Sequence, residues 1–107
     1  MKTYNVYWTQ SSQSDLEYII EYLKRDSVSL AKKMFLEIKE ACDALYVFPE
    51  RKRVVPELHS IGIIHYREII YKRWRIVFKI EQTSVYVVLI ADSSRNFEDL
   101  LLQRLLK

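Results

Sequence analysis

Residues 65–91, HYREIIYKRWRIVFKIEQTSVYVVLIA, decide the fold of this 107-residue chain. Apolar and polar side chains alternate over residues 65–72 and again over residues 73–81, which is the period of a β-strand. Residues 82–83 can turn the chain, and residues 84–91 are almost continuously apolar, which is typical of a central strand. The stretch therefore predicts a three-stranded antiparallel meander.

Before the meander, the sequence predicts a strand over residues 2–8 and then two amphipathic helices. The candidate N-caps of the first helix are Ser11, Ser12 and Ser14. Asp26 and Ser27 break that helix, and the second begins near Val28 or Ser29. Its apolar stripe continues to Phe48, for a length of about 30 Å, and Pro49 stops it.

After the second helix, residues 49–64 lack a clear period and carry both prolines and the only glycine, so we expect one substantial loop. Ser93 or Ser94 is the candidate cap of a final helix with another apolar stripe. The predicted fold is α+β: an N-terminal strand, two helices in a hairpin, the antiparallel meander and a C-terminal helix. Residues 1–107 are expected to form a single domain.

Composition excludes several classes of protein. The single cysteine excludes an internal disulfide framework, and the single glycine excludes the glycine-rich phosphate loops. The longest apolar run, residues 85–91, is too short for a membrane helix, so we expect a cytoplasmic protein. His59 and His65 lack further ligands at metal spacing, and the sequence indicates neither a metal nor a cofactor.

A basic patch is the main functional feature that the residues themselves suggest. The net charge is only +3, but the predicted strands alternate so that one sheet face carries Arg73, Arg75 and Lys79. If both helices cover the other face, this face stays open, with Arg67 and Tyr71 in reach. Such a cluster suits phosphates, stacked bases or an acidic protein segment, and an ordinary solvated strand face is an equal alternative.

Other conspicuous residues favour structural roles. Arg51, Lys52 and Arg53 fit a solvated loop, although they could also frame a binding groove. Cys42 falls on the buried stripe of the second helix, which indicates a core thiol rather than a nucleophile. Trp74 belongs to the apolar alternation and is expected in the core.

Five short motifs, in order along the chain, resemble the RelE/ParE family of bacterial toxins. Residues 15–23 are similar to the family's opening helix "DL-x-x-I-x-x-Y", and residues 48–58 to its loop "FP-x-x-G-R-x-V-P-E-L", with a basic residue in place of the loop glycine. Residues 66–69 resemble its "YRE-aliphatic" strand, residues 75–78 its "RIVY" strand, and residues 91–95 its "D-G-R-R-D" end. The similarity covers nearly the whole chain.

The resemblance implies a small α+β toxin that forms half of a type II toxin–antitoxin pair. A partner antitoxin wraps around such toxins and neutralises them, which implies a toxin–antitoxin hetero-oligomer. RelE-like members cut messenger RNA at the ribosome, whereas ParE-like members inhibit DNA gyrase without known chemistry of their own. A module that has lost toxicity and only binds its partner is a third alternative.

A RelE-like ribonuclease would need a base, an acid and cations around the phosphate. The resemblance places Arg67 and Arg75 at family positions and Arg95 at the second arginine of the end motif, and Arg73 is a further cation. The acid–base candidates are His65, Glu68, Tyr71 and Glu57. For Glu68 and Arg67 the structural alternative is a cross-strand ion pair, which the sequence favours over catalysis.

The end of the last strand departs from the RNA-cleaving members, which carry a Tyr or His near it. Here residues 92–94 read Asp-Ser-Ser, and the C-terminal helix contains neither residue. This departure favours ParE-like action on gyrase. The basic face, the loop over residues 51–57 and the C-terminal helix would then contact gyrase or its DNA complex. The binding residues on the face and in the loop would be Arg51, Lys52, Arg53, Arg73 and Lys79.

Overall fold

The computed structural model describes residues 1–93 and 96–106. Its strands are β1 (Asn5–Trp8), β2 (Arg53–Val54), β3 (Tyr66–Tyr71), β4 (Trp74–Glu81) and β5 (Ser84–Asp92), and its helices are α1 (Gln10–Lys24), α2 (Val28–Asp43), α3 (Pro56–His59) and α4 (Phe97–Leu105). The α+β class and the predicted order of its main elements are confirmed. No helix in the described part of the chain is long and apolar enough to cross a membrane.

The five strands form one sheet in the order β1-β5-β4-β3-β2. All neighbours are antiparallel except β1, which runs parallel to β5 at one edge. Two-residue loops join β3 to β4 and β4 to β5, and the first loop residues, Lys72 and Gln82, adopt the positive φ that such tight hairpins require. In β5 one extra residue, Val88, lies between the partners of Val77 and Phe78.

The α1–α2 hairpin packs on one face of the sheet, where Ile38, Cys42, Leu45, Ile76 and Phe78 are buried. Each helix is capped by the side-chain oxygen of the residue before it. Thr9 caps α1 by accepting from the amide of Ser12, and Ser27 caps α2 by accepting from that of Leu30. The prediction of a serine cap for α1 was therefore wrong, because Thr9 already provides the cap one turn before Ser12.

The second helix is shorter than predicted. It ends at Asp43, and a separate 3₁₀ turn, Ala44–Tyr46, continues the apolar stripe through Leu45. Phe48 then adopts a left-handed backbone (φ 52°), which reverses the chain before a second 3₁₀ turn at Pro49–Arg51. The stripe persists beyond the helix because Leu45, three residues after Cys42, is buried in the same cluster.

The other face of the sheet is covered, and the prediction of an open face was wrong. A second cluster of buried residues forms there from Val55, Leu58, Val77, Val88, Leu89, Ala91, Phe97 and Leu101. Helix α4 supplies the last two of these residues, while β2 and α3 occupy much of the predicted loop over residues 49–64. The cap of α4 is Asn96, not Ser93, and the alternative Ser94 lies outside the described residues.

Candidate functional site

Arg75 lies at the centre of a buried charge cluster, which we define as Arg53, Glu57, Glu68 and Arg75. Its Nε donates to Glu68 Oε1 at 2.8 Å, and Nη1 and Nη2 donate to the two oxygens of Glu57 at 2.7 Å each. Arg53 reaches Glu68 from the opposite side, with Nε 2.6 Å from Oε2. Glu68 is thus shared by two guanidinium groups.

The centre of this cluster is buried and closed to solvent, while its outer member Arg53 is 55% exposed. The side chain of Glu68 is 0% exposed and that of Arg75 is 8% exposed. Phe97 of α4 covers Arg75, whose guanidinium carbon lies 3.8 Å from the centroid of the ring. Since both carboxylates already neutralise Arg75 and a ring covers it, this arginine is not available to an external phosphate.

The electrostatics reinforce the ionised state of the cluster. The hydrogen bond from Arg75 lowers the pKa of Glu57 below its ordinary value, and partial burial only partly opposes this. The bonds from Glu57 and Glu68 raise the pKa of Arg75 despite its burial. The cluster therefore joins β2, α3, β3 and β4 by fixed charges, which is the pattern of a structural element.

The expected cross-strand ion pair is present at Glu68, but Arg67 does not share it, because adjacent residues of a strand point to opposite faces. Glu68 pairs with Arg53 and Arg75, whereas Arg67 lies on the face of α1 and α2 and donates from Nη1 to the backbone oxygen of Lys52 at 2.6 Å. The prediction that Arg67 shares an open patch with Arg75 was wrong for the same reason.

Tyr71 is also directed to the face of α1 and α2. Its hydroxyl donates to Glu37 of α2 and lies 3.7 Å from the sulfur of Met34. Burial and the bond to Glu37 raise the pKa of Tyr71 to about 12. The structure thus separates Tyr71 from Glu68 and Arg75, with which it was predicted to form a catalytic set.

The other predicted basic residues are dispersed. Arg73 lies in the β3–β4 turn, where it pairs with Asp92 at 2.7 Å, and Lys79 pairs with Glu81 at 2.9 Å. That bond to Glu81 raises the pKa of Lys79. The predicted catalytic residue Arg95 lies outside the described residues.

Four cations do meet at the β2 edge of the sheet, and we call them the basic edge: Arg51, Lys52, Arg53 and Arg67. The first three are exposed. Arg51 stacks on Phe48, with its guanidinium carbon 3.8 Å from the ring centroid, and Arg67 is tied to the Lys52 backbone. Lys52 and Arg51 keep their charged groups toward solvent, so this edge can attract an anionic surface.

The single cysteine, Cys42, is buried in the core. Burial raises the pKa of the Cys42 thiol to about 12, and the prediction of a core thiol is confirmed.

Asp15 has a structural role that the sequence analysis missed. Its carboxylate accepts from the Ile90 amide at 3.0 Å and from both terminal nitrogens of Arg104 at 2.9 Å. Only the "DL" motif marked Asp15, and nothing marked its partner Arg104.

Comparison with known proteins agrees with this architecture. The family described as "ParE toxin of type II toxin-antitoxin system, parDE" matches residues 6–97. No protein with a curated description matches the chain.

Among solved structures, the chain is similar to the chromosomal ParDE toxin–antitoxin system from P. aeruginosa, with a TM-score of 0.69 and 16% identity over 84% of this chain and 96% of that one. It is also similar to the toxin–antitoxin complex RelBE2 from Mycobacterium tuberculosis, with a TM-score of 0.60 and 17% identity over 89% of this chain and 97% of that one. At these identities the likeness establishes the fold.

Proposed function

Because this chain belongs to the family of ParE toxins of type II toxin–antitoxin systems, we propose that it inhibits growth by a ParE-like, non-enzymatic action on DNA gyrase. The observation that carries this proposal is that the side chains a ribonuclease would need as acid, base or phosphate ligand are already paired within the fold. Arg75 and Glu68 are paired and buried beneath Phe97, and Tyr71 is bound to Glu37 on the opposite face.

Metal-free RNA cleavage requires an acid and a base on either side of one phosphate, with cations beside it. A tyrosine with a pKa of about 12 is a poor general base near neutral pH. Glu68 is no better placed for acid–base chemistry, because both of its oxygens accept from Arg53 and Arg75 and its side chain is 0% exposed. Binding without chemistry fits these side chains better.

The basic edge is the proposed contact with the target. A cluster of exposed cations raises the rate of association with an anionic surface, and a complex of gyrase with DNA presents such a surface. Stacking on Phe48 holds Arg51 in place, and the bond from Arg67 to Lys52 fixes the adjoining backbone. The edge is therefore partly ordered before it binds, which reduces the entropic cost of association.

A cognate antitoxin is the second proposed partner. Both structural neighbours are toxin–antitoxin complexes, which supports a partner of the same kind here. Complementarity predicts that the antitoxin carries acidic residues where it meets the basic edge. A short neighbouring gene that encodes a DNA-binding segment and an acidic or amphipathic tail is the expected source.

The test measures DNA supercoiling by gyrase and messenger RNA integrity in parallel, with purified toxin added up to stoichiometric excess. We expect inhibition of supercoiling and intact mRNA. Lys52→Glu should weaken inhibition at least ~10-fold by reversing one charge of the basic edge, whereas Lys32→Glu on the exposed side of α2 is the matched control and should act like the natural protein.

The outcomes separate the three alternatives. Unaffected gyrase together with ribosome-dependent cleavage of mRNA would overturn the proposal in favour of the RelE-like function. Harmless expression in a bacterial host, with neither effect, would indicate a binding module. Equal loss of inhibition in Lys52→Glu and Lys32→Glu would contradict the assignment of the basic edge while leaving gyrase as the target.

A further inference from the structure

We propose that the free edge of β1 pairs with β1 of a second copy of this chain in an antiparallel, two-fold symmetric arrangement centred on Tyr7. This inference does not depend on the identity of the toxin's target. It rests on the direction of the backbone groups of β1, on the charge pattern around that strand, and on the side chains that flank it on both faces of the sheet.

The hydrogen bonds of β1 show which of its backbone groups are free. The amides of Asn5 and Thr9 donate to β5, at 2.9 and 3.1 Å from Thr83 and Val87 oxygens, so odd-numbered residues of the strand face inward. The amide of Tyr4 points the other way and donates to the Tyr46 oxygen. Val6 and Trp8 therefore direct their N–H and C=O groups away from the sheet.

The alternation of inward-facing and outward-facing backbone groups determines which residues of the two copies can pair. When two copies pair antiparallel about Tyr7, Val6 meets Trp8 of the second copy, and each such pair exchanges both of its main-chain hydrogen bonds. Tyr7 then meets Tyr7 of the second copy in a non-hydrogen-bonded pair, where side chains approach most closely. All groups that point outward from Val6 to Trp8 obtain partners in this way.

The side chains are self-complementary in the same register. On one face, Tyr7 is 47% exposed and stacks on Tyr86, with ring centroids 5.5 Å apart, so a second Tyr7 would extend an existing stack. On the other face, Val6 and Trp8 line an open groove of about 790 Å³ between β1, α1 and α2, together with Leu16, Ile20 and Phe35. Trp8 and Val6 of the second copy would lie at its mouth.

Charge distinguishes this edge from the other one. Residues 3–14 contain no charged side chain, so no like charges of the two paired strands oppose one another. The helices add two acidic and two basic residues to the lining of the groove, Glu17, Glu21, Lys24 and Lys39. The opposite edge, β2, is flanked by Arg51, Lys52 and Arg53, and such cations protect a strand from pairing with another copy. Of the two edges of this sheet, only that of β1 lacks this protection.

The contact is short, and this sets the expected affinity. Tyr46 occupies one end of the edge and α1 begins directly after the other, so about three residues per copy can pair. The buried area should lie below the ~1,200 Å² of standard interfaces. We therefore expect a reversible dimer with a dissociation constant on the order of 10–100 µM.

Sedimentation velocity over a concentration series, from about 1 µM to about 1 mM, tests the proposal. The natural chain should pass from monomer to dimer. Tyr7→Lys, which opposes two charges at the axis, should weaken dimerisation at least ~10-fold. Tyr18→Lys is the matched control, because Tyr18 is 73% exposed on α1 away from the edge, and it should dimerise like the natural chain.

A cross-linking experiment tests the register. Tyr7→Cys should form an intermolecular disulfide under mild oxidation, because opposed Cα atoms at a non-hydrogen-bonded pair lie roughly 4.5 Å apart, within the range that disulfides span. Asn5→Cys places its thiols out of register and should not cross-link. Cys42 is buried and does not interfere.

Three results would overturn the inference: a monomer throughout the series, dimers unaffected by Tyr7→Lys, or equal cross-linking of Tyr7→Cys and Asn5→Cys. Amide exchange at Val6 and Trp8 supplies a further readout. If the natural chain stays monomeric and these amides gain protection only when the antitoxin is added, the edge belongs to the antitoxin and the proposal of a second copy is wrong.

Discussion

Replacing Glu68 with glutamine isolates the electrostatic role of the buried charge cluster, because the substitution preserves the size of the side chain and removes its charge. In the natural chain Glu68 accepts from Arg53 at 2.6 Å and from Arg75 at 2.8 and 3.1 Å, and its side chain is 0% exposed. Glu68→Gln leaves these donors opposite a neutral amide that offers one acceptor oxygen instead of two.

The expected loss of stability in Glu68→Gln depends on which ion pairs of the two arginines remain. Breaking a buried ion pair by removing one partner costs about 3–5 kcal/mol, since the other charge stays buried without compensation. Arg75 keeps both of its bonds to Glu57, and the side chain of Arg53 is 55% exposed and can be hydrated. We therefore expect a loss near the lower limit, about 3 kcal/mol in the free energy of unfolding.

Urea unfolding at pH 7, followed by tryptophan fluorescence, measures this loss. With a denaturant slope of about 2 kcal/mol/M, the midpoint should fall by roughly 1.5 M. Glu21→Gln is the matched control, because Glu21 pairs with Lys24 at 3.1 Å on an exposed surface, where such a pair contributes less than about 1 kcal/mol. If Glu68→Gln costs no more than Glu21→Gln, the charge cluster does not stabilise the packing of β2, α3, β3 and β4.

Three other predictions concern pH, the Asp15 contact and the buried thiol. The pKa of Glu57 is lowered in the folded chain, so its contribution to the free energy of unfolding is present above its ordinary pKa of 4.5 and is lost as the pH falls through the lower pKa of the folded chain. Urea unfolding over an acidic pH series should therefore show a shallower loss of stability in Glu57→Gln than in the natural chain. An unchanged loss of stability would contradict this prediction. Asp15→Asn should lower the free energy of unfolding in urea by about 1.5–3 kcal/mol, since it weakens the charge-assisted bonds from Arg104 and the Ile90 amide. The control Asp43→Asn, which removes an exposed ion pair with Lys39, should cost less than about 0.5 kcal/mol. Equal costs would refute a structural role for the Asp15 contact. Cys42 should react with a thiol reagent at pH 8 only as the chain unfolds, because burial raises its pKa to about 12, and immediate labelling of the folded protein would show that the thiol is accessible.

All six ends of the meander strands were predicted to within one residue, because the signal of a strand is local. The side chains of Trp74, Ile76 and Phe78 alternate with those of Arg75 and Val77, and this period directly reports the two faces of β4. Helix α2 begins at Val28, in agreement with the predicted start near Val28 or Ser29, because the break at Asp26 and Ser27 is also a local signal. The structure of residues 49–64 could not be predicted in the same way, because a two-residue strand and a four-residue helix are too short to show a period.

The partners of the charged residues depend on contacts between distant parts of the chain. Glu57 is 18 residues from Arg75, and Asp15 is 89 residues from Arg104. No spacing rule links such positions. The family motifs marked several of these residues, but a motif does not distinguish a residue needed for folding from one needed for chemistry, so from the sequence alone Arg75 and Glu68 stayed candidates for both roles.

The covered second face was nevertheless implied by the sequence of β5. Residues 85–91 are apolar at nearly every position, and a strand that is apolar on both sides is buried on both sides. The α1–α2 hairpin fills one face, so the apolar stripe of α4, with Phe97 and Leu101, is needed for the other. An arginine under that cover must be paired, because an isolated buried charge is prohibitively costly. The cover that separates Arg75 from an external phosphate thus also requires carboxylates beside it, and Glu57 and Glu68 occupy those positions.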